Sequence, residues 1–171
     1  KLIELNKKYR FIKKNNKLLD IGACPGGWSQ VSSKIISSGK ILSIDIKKMD
    51  ELKNVSFLQC DFLQESTKEK ILNFFGEELD VVLSDMAADT TGNKSLDCIR
   101  TNKLCADVVE FSSKILKPNG ILVSKLFMGD DFLEVKELAK SKFKKVDFFK
   151  PEASRSESKE TYIHCAILKT L

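Results

Sequence analysis

A lysine inside an apolar strand is costly to keep charged, so Lys125 in the run Val123-Ser124-Lys125-Leu126-Phe127 must either pair with a carboxylate or surrender its proton. Two carboxylates stand where they could meet it. Asp85 closes the run Leu79 to Ser84, and Glu160 precedes the apolar run that starts at Tyr162, so each lies where a strand meets a turn. An ion pair is the structural reading of a lysine and an aspartate; an amine held ready to take a proton is the chemical one. Histidine chemistry is disfavoured, because His164 is the only histidine and falls within an apolar run. The cysteines Cys24, Cys60, Cys98, Cys105 and Cys165 form no CxxC pair and have no metal-ligand spacing, so no metal is expected.

A second group of residues has the types and spacing of a nucleoside site. The run LLDIGACPGGWSQ from Leu18 to Gln30 sets a glycine-rich turn between an apolar strand and a helix, the place where open α/β sheets bind ligands. Within it, Gly22, Gly26 and Gly27 let backbone approach a ligand closely, and Ala23, Pro25 and Trp28 complete the candidate loop. The spacing is not GxGxxG, so a dinucleotide fingerprint is missing. Asp45, followed by Ile46, ends the next strand, where an acidic residue accepts hydrogen bonds from ribose hydroxyls. Asp61 and Phe62 follow the third strand and offer a carboxylate for an adenine amino group and an aromatic face for its ring. Any one aspartate would be an ordinary turn residue; together at successive strand ends they predict an adenosine pocket.

The elements that must position these groups can be read from apolar periodicity. Strands are predicted at Lys17 to Ile21, Ile41 to Asp45, Val55 to Leu58, Leu79 to Ser84, Gly120 to Leu126, Lys145 to Phe149 and Tyr162 to Leu168. Helices are predicted at Trp28 to Ser38, Lys68 to Phe75, Leu96 to Leu116 and Phe132 to Phe143. Their alternation implies an α/β fold, a mostly parallel sheet with helices on both faces. The last two strands are joined by Lys150 to Thr161, which has little helical periodicity, so the final strand is expected to be antiparallel. That direction would bring Glu160 to the sheet edge holding Asp85 and Lys125.

With 171 residues, 42% hydrophobic and 31% charged, the chain has the size and composition of one domain, residues 1–171. No window approaches the ~18 apolar residues of a membrane span. The net charge of +5 is concentrated at the ends: Lys1, Lys7, Lys8, Arg10, Lys13, Lys14 and Lys17 face only Glu4. Lysines return between Lys136 and Lys159. Solvated helix faces account for such runs, unless both ends meet around one site and form a rim for phosphates.

Over nearly its whole length the chain resembles the FtsJ-type ribosomal RNA large-subunit 2'-O-methyltransferases, through DIGACPGGWSQ, CDF, LSDMA followed by TTG, VSKLFMG and KPEASRSESKETY. The resemblance implies a Rossmann-like methyltransferase fold with seven strands, S-adenosylmethionine as cofactor, and a catalytic tetrad of Lys1, Asp85, Lys125 and Glu160. It implies cofactor contacts at Gly26, Gly27, Trp28, Asp45, Asp61 and Asp85, and a helix before the first strand beginning at Lys1. Ala88-Asp89 stands where many members have Pro-Asn. The expected partner is RNA, a uridine of large-subunit ribosomal RNA or the large ribosomal subunit, acted on by a monomer. The expected location is the cytoplasm, or an organelle if a targeting segment has been removed. A non-catalytic RNA-binding module and a nicotinamide-dependent oxidoreductase are the competing readings; the latter leaves Lys125 and the run from Ser154 to Tyr162 without a use.

Overall fold

The computed structural model describes residues 1–169. A helix α1 (Leu2–Tyr9) precedes an alternation of β1 (Lys17–Ile21), α2 (Gly27–Ile35), β2 (Lys40–Asp45), β3 (Ser56–Gln59), α3 (Glu65–Phe75), β4 (Leu79–Ser84), α4 (Lys94–Ile115), β5 (Leu116–Phe127), α5 (Phe132–Lys142), β6 (Phe143–Phe149) and β7 (Glu160–Leu168). The seven strands form one sheet in the order β3-β2-β1-β4-β5-β7-β6. All of its pairings are parallel except those of β7, which runs antiparallel to both β5 and β6.

The strand directions agree with the expectation from sequence, and β7 inserts between β5 and β6. The reason is burial. Residues Glu160 to Ala166 are all buried, which suits an interior strand covered on both faces, whereas β6 exposes Lys144, Lys145 and Asp147. Charged side chains on an edge strand discourage pairing with another chain. Two apolar clusters fill the two faces, one built around Leu19, Leu42, Val82, Leu122 and Ile163, the other around Leu18, Ile41, Leu83, Val123 and Tyr162.

Helix α1 belongs to the second cluster through the buried Leu2 and Leu5. It is only eight residues long and has no side-chain cap, so packing and tertiary bonds must hold it in place. Strand β5 starts earlier than the apolar run suggests, at Leu116, with an irregularity in its register against β4 between Leu79 and Val81. Helix α2 stops earlier, at Ile35, because the N–H groups of Ser37 and Ser38 donate to the Lys14 carbonyl.

His164 on β7 joins α1 to the sheet by stacking on Tyr9, with ring centroids 3.9 Å apart and an interplanar angle of 6°. Neither ring nitrogen has a hydrogen-bond partner among the described residues. Burial pushes the imidazole down to about 4, against the opposing pull of Asp147. The unfolded chain therefore takes up the proton first as pH falls, and stability is lost between the ordinary histidine value near 6.5 and about 4. The loss is on the order of 3 kcal/mol, at ~1.36 kcal/mol for each pH unit between the two values. Asp20, pushed up to about 7 by burial, works in the opposite sense, losing stability as pH rises. Urea unfolding at pH 7 and pH 4.5 is expected to show a smaller acid loss in His164→Phe than in wild type. Equal losses would remove His164 from the acid response.

Candidate active site

The carboxyl ends of β1, β2, β4 and β5 open at one edge of the sheet, and the antiparallel β7 begins there. Its register pairs Phe127 with Glu160 and Lys125 with Tyr162. Because side chains in a strand alternate between faces, Glu160 and Tyr162 share the face on which Lys125 lies.

Four predicted residues meet at this edge. The Lys125 amine lies 3.1 Å from Asp85 Oδ1 and 3.6 Å from Glu160 Oε2, and it donates to the Asp85 carbonyl at 3.0 Å. The Lys1 amine, placed by the start of α1, lies 2.6 Å from Glu160 Oε1. Glu160 thus stands between two amines, one on each oxygen. Burial tends to raise its pKa, but the bond from Lys1, the Lys125 charge and the Ser154 hydroxyl together hold the carboxyl below the ordinary glutamate range.

Three participants were not anticipated from sequence. Tyr162 donates its hydroxyl to Asp85 Oδ1 at 2.6 Å, and burial followed by the Asp85 charge pushes the phenol well above its ordinary value, keeping it a donor. The signal was available: Tyr162 is two residues beyond Glu160 on a strand. Ser154 donates to Glu160 Oε1 at 2.9 Å, and the Glu160 N–H donates to Ser158 Oγ at 3.1 Å. No periodicity marks serines in a loop, so these contacts exist only in the folded chain.

Beside the four lies a cavity of about 620 Å³ whose walls include Gly22, Asp45, Ile46, Asp61, Phe62 and Asp85. Asp85 is therefore shared between the cavity and the Lys125 cluster. Helix α4 supplies another wall through Arg100, Lys103, Leu104 and Asp107, which had not been read as site residues. Ala23, Pro25, Gly26, Gly27 and Trp28 are not part of the walls. Ala23 is buried, Gly26 caps α2, and Trp28 packs on Tyr162 with centroids 5.5 Å apart. Phe62 is 3% exposed and turns edge-on to Phe111 in the core, so little of its ring is left to cover a base. Ile46 and Leu63, 61% and 52% exposed, present apolar surface there instead.

The glycine-rich turn is held from two sides. Gly22 adopts φ +73°, and a Cβ there would come within 2.4 Å of the Met86 side chain, so no other residue fits between the ends of β1 and β4. Asp45 accepts the N–H of Cys24 through Oδ2 at 2.9 Å and that of Lys47 through Oδ1 at 2.8 Å. Below the turn, the buried Asp20 accepts the Ser29 hydroxyl at 2.6 Å, and Ser29 meets Ser43 at 2.7 Å, tying α2 to β1 and β2.

The cavity fits an adenosine in size and chemistry: a carboxylate has about four acceptor positions, so Asp45 can accept ribose hydroxyls beyond the two N–H groups it already holds. Asp45→Ala is expected to raise the dissociation constant for S-adenosylhomocysteine at least tenfold, since it removes acceptors for the ligand and for the Cys24 turn, each bond counting for about 0.5 to 1.5 kcal/mol. Calorimetric titration checks this, and unchanged affinity would move the ribose elsewhere.

A Rossmann-like sheet with a cavity at its carboxyl edge, beside a lysine paired with carboxylates, has the architecture of an S-adenosylmethionine-dependent methyltransferase. Residues 1–168 match the model of the FtsJ-like methyltransferases, and the chain belongs to that family. It is 44% identical over 169 residues to the Ribosomal RNA large subunit methyltransferase E of Pelagibacter ubique, covering 99% of this chain and 83% of that protein. A Rickettsia akari protein of the same name is also 44% identical, over 95% of this chain and 74% of its own length. Among solved structures, a Plasmodium falciparum protein described as a ribosomal RNA methyltransferase superposes with a TM-score of 0.87 and 31% identity, over 98% of this chain and 94% of the other.

Proposed function

We propose that this methyltransferase modifies a ribose 2'-hydroxyl of large-subunit ribosomal RNA, with a uridine as the target and Lys125 as the general base. The observation that carries this reading is the placement of the Lys125 amine between Asp85 and Glu160, where Asp85 also walls the nucleoside cavity. S-adenosylmethionine, when bound, supplies a methyl group already activated on sulfonium. What the protein must add is alignment of an oxygen with that methyl and removal of the oxygen's proton. Lys125 takes the proton as its neutral amine, Asp85 and Glu160 orient that amine, and the charges of Lys1 and of a bound sulfonium offset the carboxylates' preference for its charged form, while Lys1 also meets the ribose.

An RNA partner also suits the basic ends. Helix α1 carries Lys7 and Lys8 in its last turn, and the Lys8 amine lies 4.6 Å from the centroid of Phe149 at the end of β6. The end of helix α1 therefore lies against the end of β6, where the two basic segments approach each other, and this supports a phosphate-facing rim there. A single domain over residues 1–171, acting as a monomer in the cytoplasm, completes the proposal. No helix among the described residues is long and apolar enough to cross a membrane. The relatives named above include two bacterial proteins, which lend the organellar alternative no support. The family assignment disfavours the oxidoreductase and the non-catalytic module.

The test is transfer of a tritiated methyl group onto ribosomal RNA, followed by mapping of the alkali-resistant linkage. Label in an alkali-resistant dinucleotide of large-subunit RNA is the expected result. Label on a base, or only on transfer RNA, would overturn the target assignment.

A further inference from the structure

The loop between β6 and β7 contains a turn from Pro151 to Ser154, closed by the Ser154 N–H on the Pro151 carbonyl at 3.0 Å. Such a turn leaves the N–H groups of its two central residues without an internal acceptor. Both are taken by Glu4 of α1: Oε2 accepts from Glu152 at 2.7 Å and Oε1 from Ala153 at 3.1 Å. A glutamate in the first turn of a helix has a simpler use in complementing the helix dipole. That use does not account for both oxygens meeting a segment 148 and 149 residues away in sequence.

The turn leads directly to the site. Its last residue, Ser154, is buried and donates to Glu160 Oε1, the oxygen that the Lys1 amine also meets. Lys1 and Glu4 stand about one turn apart at the start of α1. The contacts therefore close a ring running from Lys1 through Glu160, Ser154 and the turn to Glu4, and back along α1. We infer that Glu4 is a positioning residue for methyl transfer, gripping the 152–153 backbone so that Lys1 and Ser154 converge on one oxygen of Glu160. This rests on the proposed roles of Lys125 and Glu160.

The experiment is steady-state methylation of ribosomal RNA by Glu4→Ala, Glu4→Gln, Ser154→Ala and the Glu4→Ala/Ser154→Ala double variant, with S-adenosylhomocysteine affinity measured alongside. Glu4→Ala is expected to lower kcat roughly tenfold, as for loss of one hydrogen bond to a charged group, with affinity for S-adenosylhomocysteine unchanged. Glu4→Gln, which keeps an acceptor for one of the two N–H groups, recovers part of the loss. Because both residues act through Glu160, the double variant is no worse than about twofold below the poorer single variant. Wild-type kcat in Glu4→Ala, or losses that multiply in the double variant, would overturn the inference. If Glu4→Ala does not fold, Glu4→Gln and its combination with Ser154→Ala are held to the same criteria. Full turnover by Lys125→Ala and Glu160→Ala would instead show that the site reading itself is wrong, whereas their failure beside a normal Glu4→Ala would remove Glu4 alone.

Discussion

Lys125→Arg is expected to lose methyl transfer by about 10²- to 10⁴-fold, the usual contribution of general-base catalysis, while binding S-adenosylhomocysteine as wild type does. The substitution is chosen because it separates two uses of a cation. Arginine keeps the charge and much of the reach, and its planar donors can still meet Asp85 and Glu160. What it cannot do in a protein is give up its proton. A lysine that served only to dock RNA, or to neutralise the two carboxylates, would tolerate the exchange in part. A base would not. Lys125 is suited to the sharper test because its side chain is only 11% exposed, so bulk water has little access to replace it. Proton removal accompanies formation of the new bond, so the loss should appear in kcat rather than in cofactor affinity. Substantial methylation by Lys125→Arg would end the assignment of Lys125 as base, whatever the fate of the other residues.

Asp85→Ala is expected to abolish turnover by a comparable factor, of the order of 10²- to 10³-fold, and also to weaken cofactor binding, because Asp85 belongs to both halves of the site. Its Oδ1 meets the Lys125 amine and accepts the Tyr162 hydroxyl, and the residue walls the nucleoside cavity. Truncation strands the Tyr162 hydroxyl, while the Lys125 amine keeps the backbone carbonyl at position 85 and Glu160. The Tyr162 side chain is fully buried, and leaving its hydroxyl without an acceptor costs about 1 to 3 kcal/mol of stability. Asp85→Asn separates these effects: its amide oxygen can accept from Tyr162 but carries no charge to orient Lys125. Thermal denaturation should therefore find Asp85→Asn closer to wild type than Asp85→Ala, while both fail in methyl transfer. Near-normal turnover by Asp85→Asn would show that the charge on Asp85 is not required and would assign the residue to packing.

Much of this molecule is legible in its sequence, for identifiable reasons. Strands β1 and β4 were located to the residue, because continuous apolar runs bounded by polar turns mark strands buried on both faces. The glycine-rich turn and the aspartates after β2 and β3 were visible because a strand end in an alternating α/β chain is a fixed place. Asp85, Lys125 and Glu160 stood out as charges bordering or interrupting apolar runs. Helix α1 does not emerge from periodicity, since it is short and half of its residues are polar, with only Leu2 and Leu5 buried.

By itself, then, the sequence determined the α/β alternation, the direction of the last strand, the family pattern and the residue types offered for chemistry, because these depend on local periodicity and on motifs contiguous in the chain. The tertiary structure decided the rest. Only the insertion of β7 between β5 and β6 sets Glu160 opposite Phe127 and so within reach of Lys125. Only the docking of α1 delivers Lys1 to the far oxygen of that carboxylate and Glu4 to the turn behind it. Phe62 lines the cavity but turns most of its ring against Phe111 in the core, and Tyr162 reaches the site through its register against Lys125. These outcomes rest on contacts between residues tens of positions or more apart in the chain, and their geometry depends on how the two faces of the sheet are filled, which local periodicity does not encode.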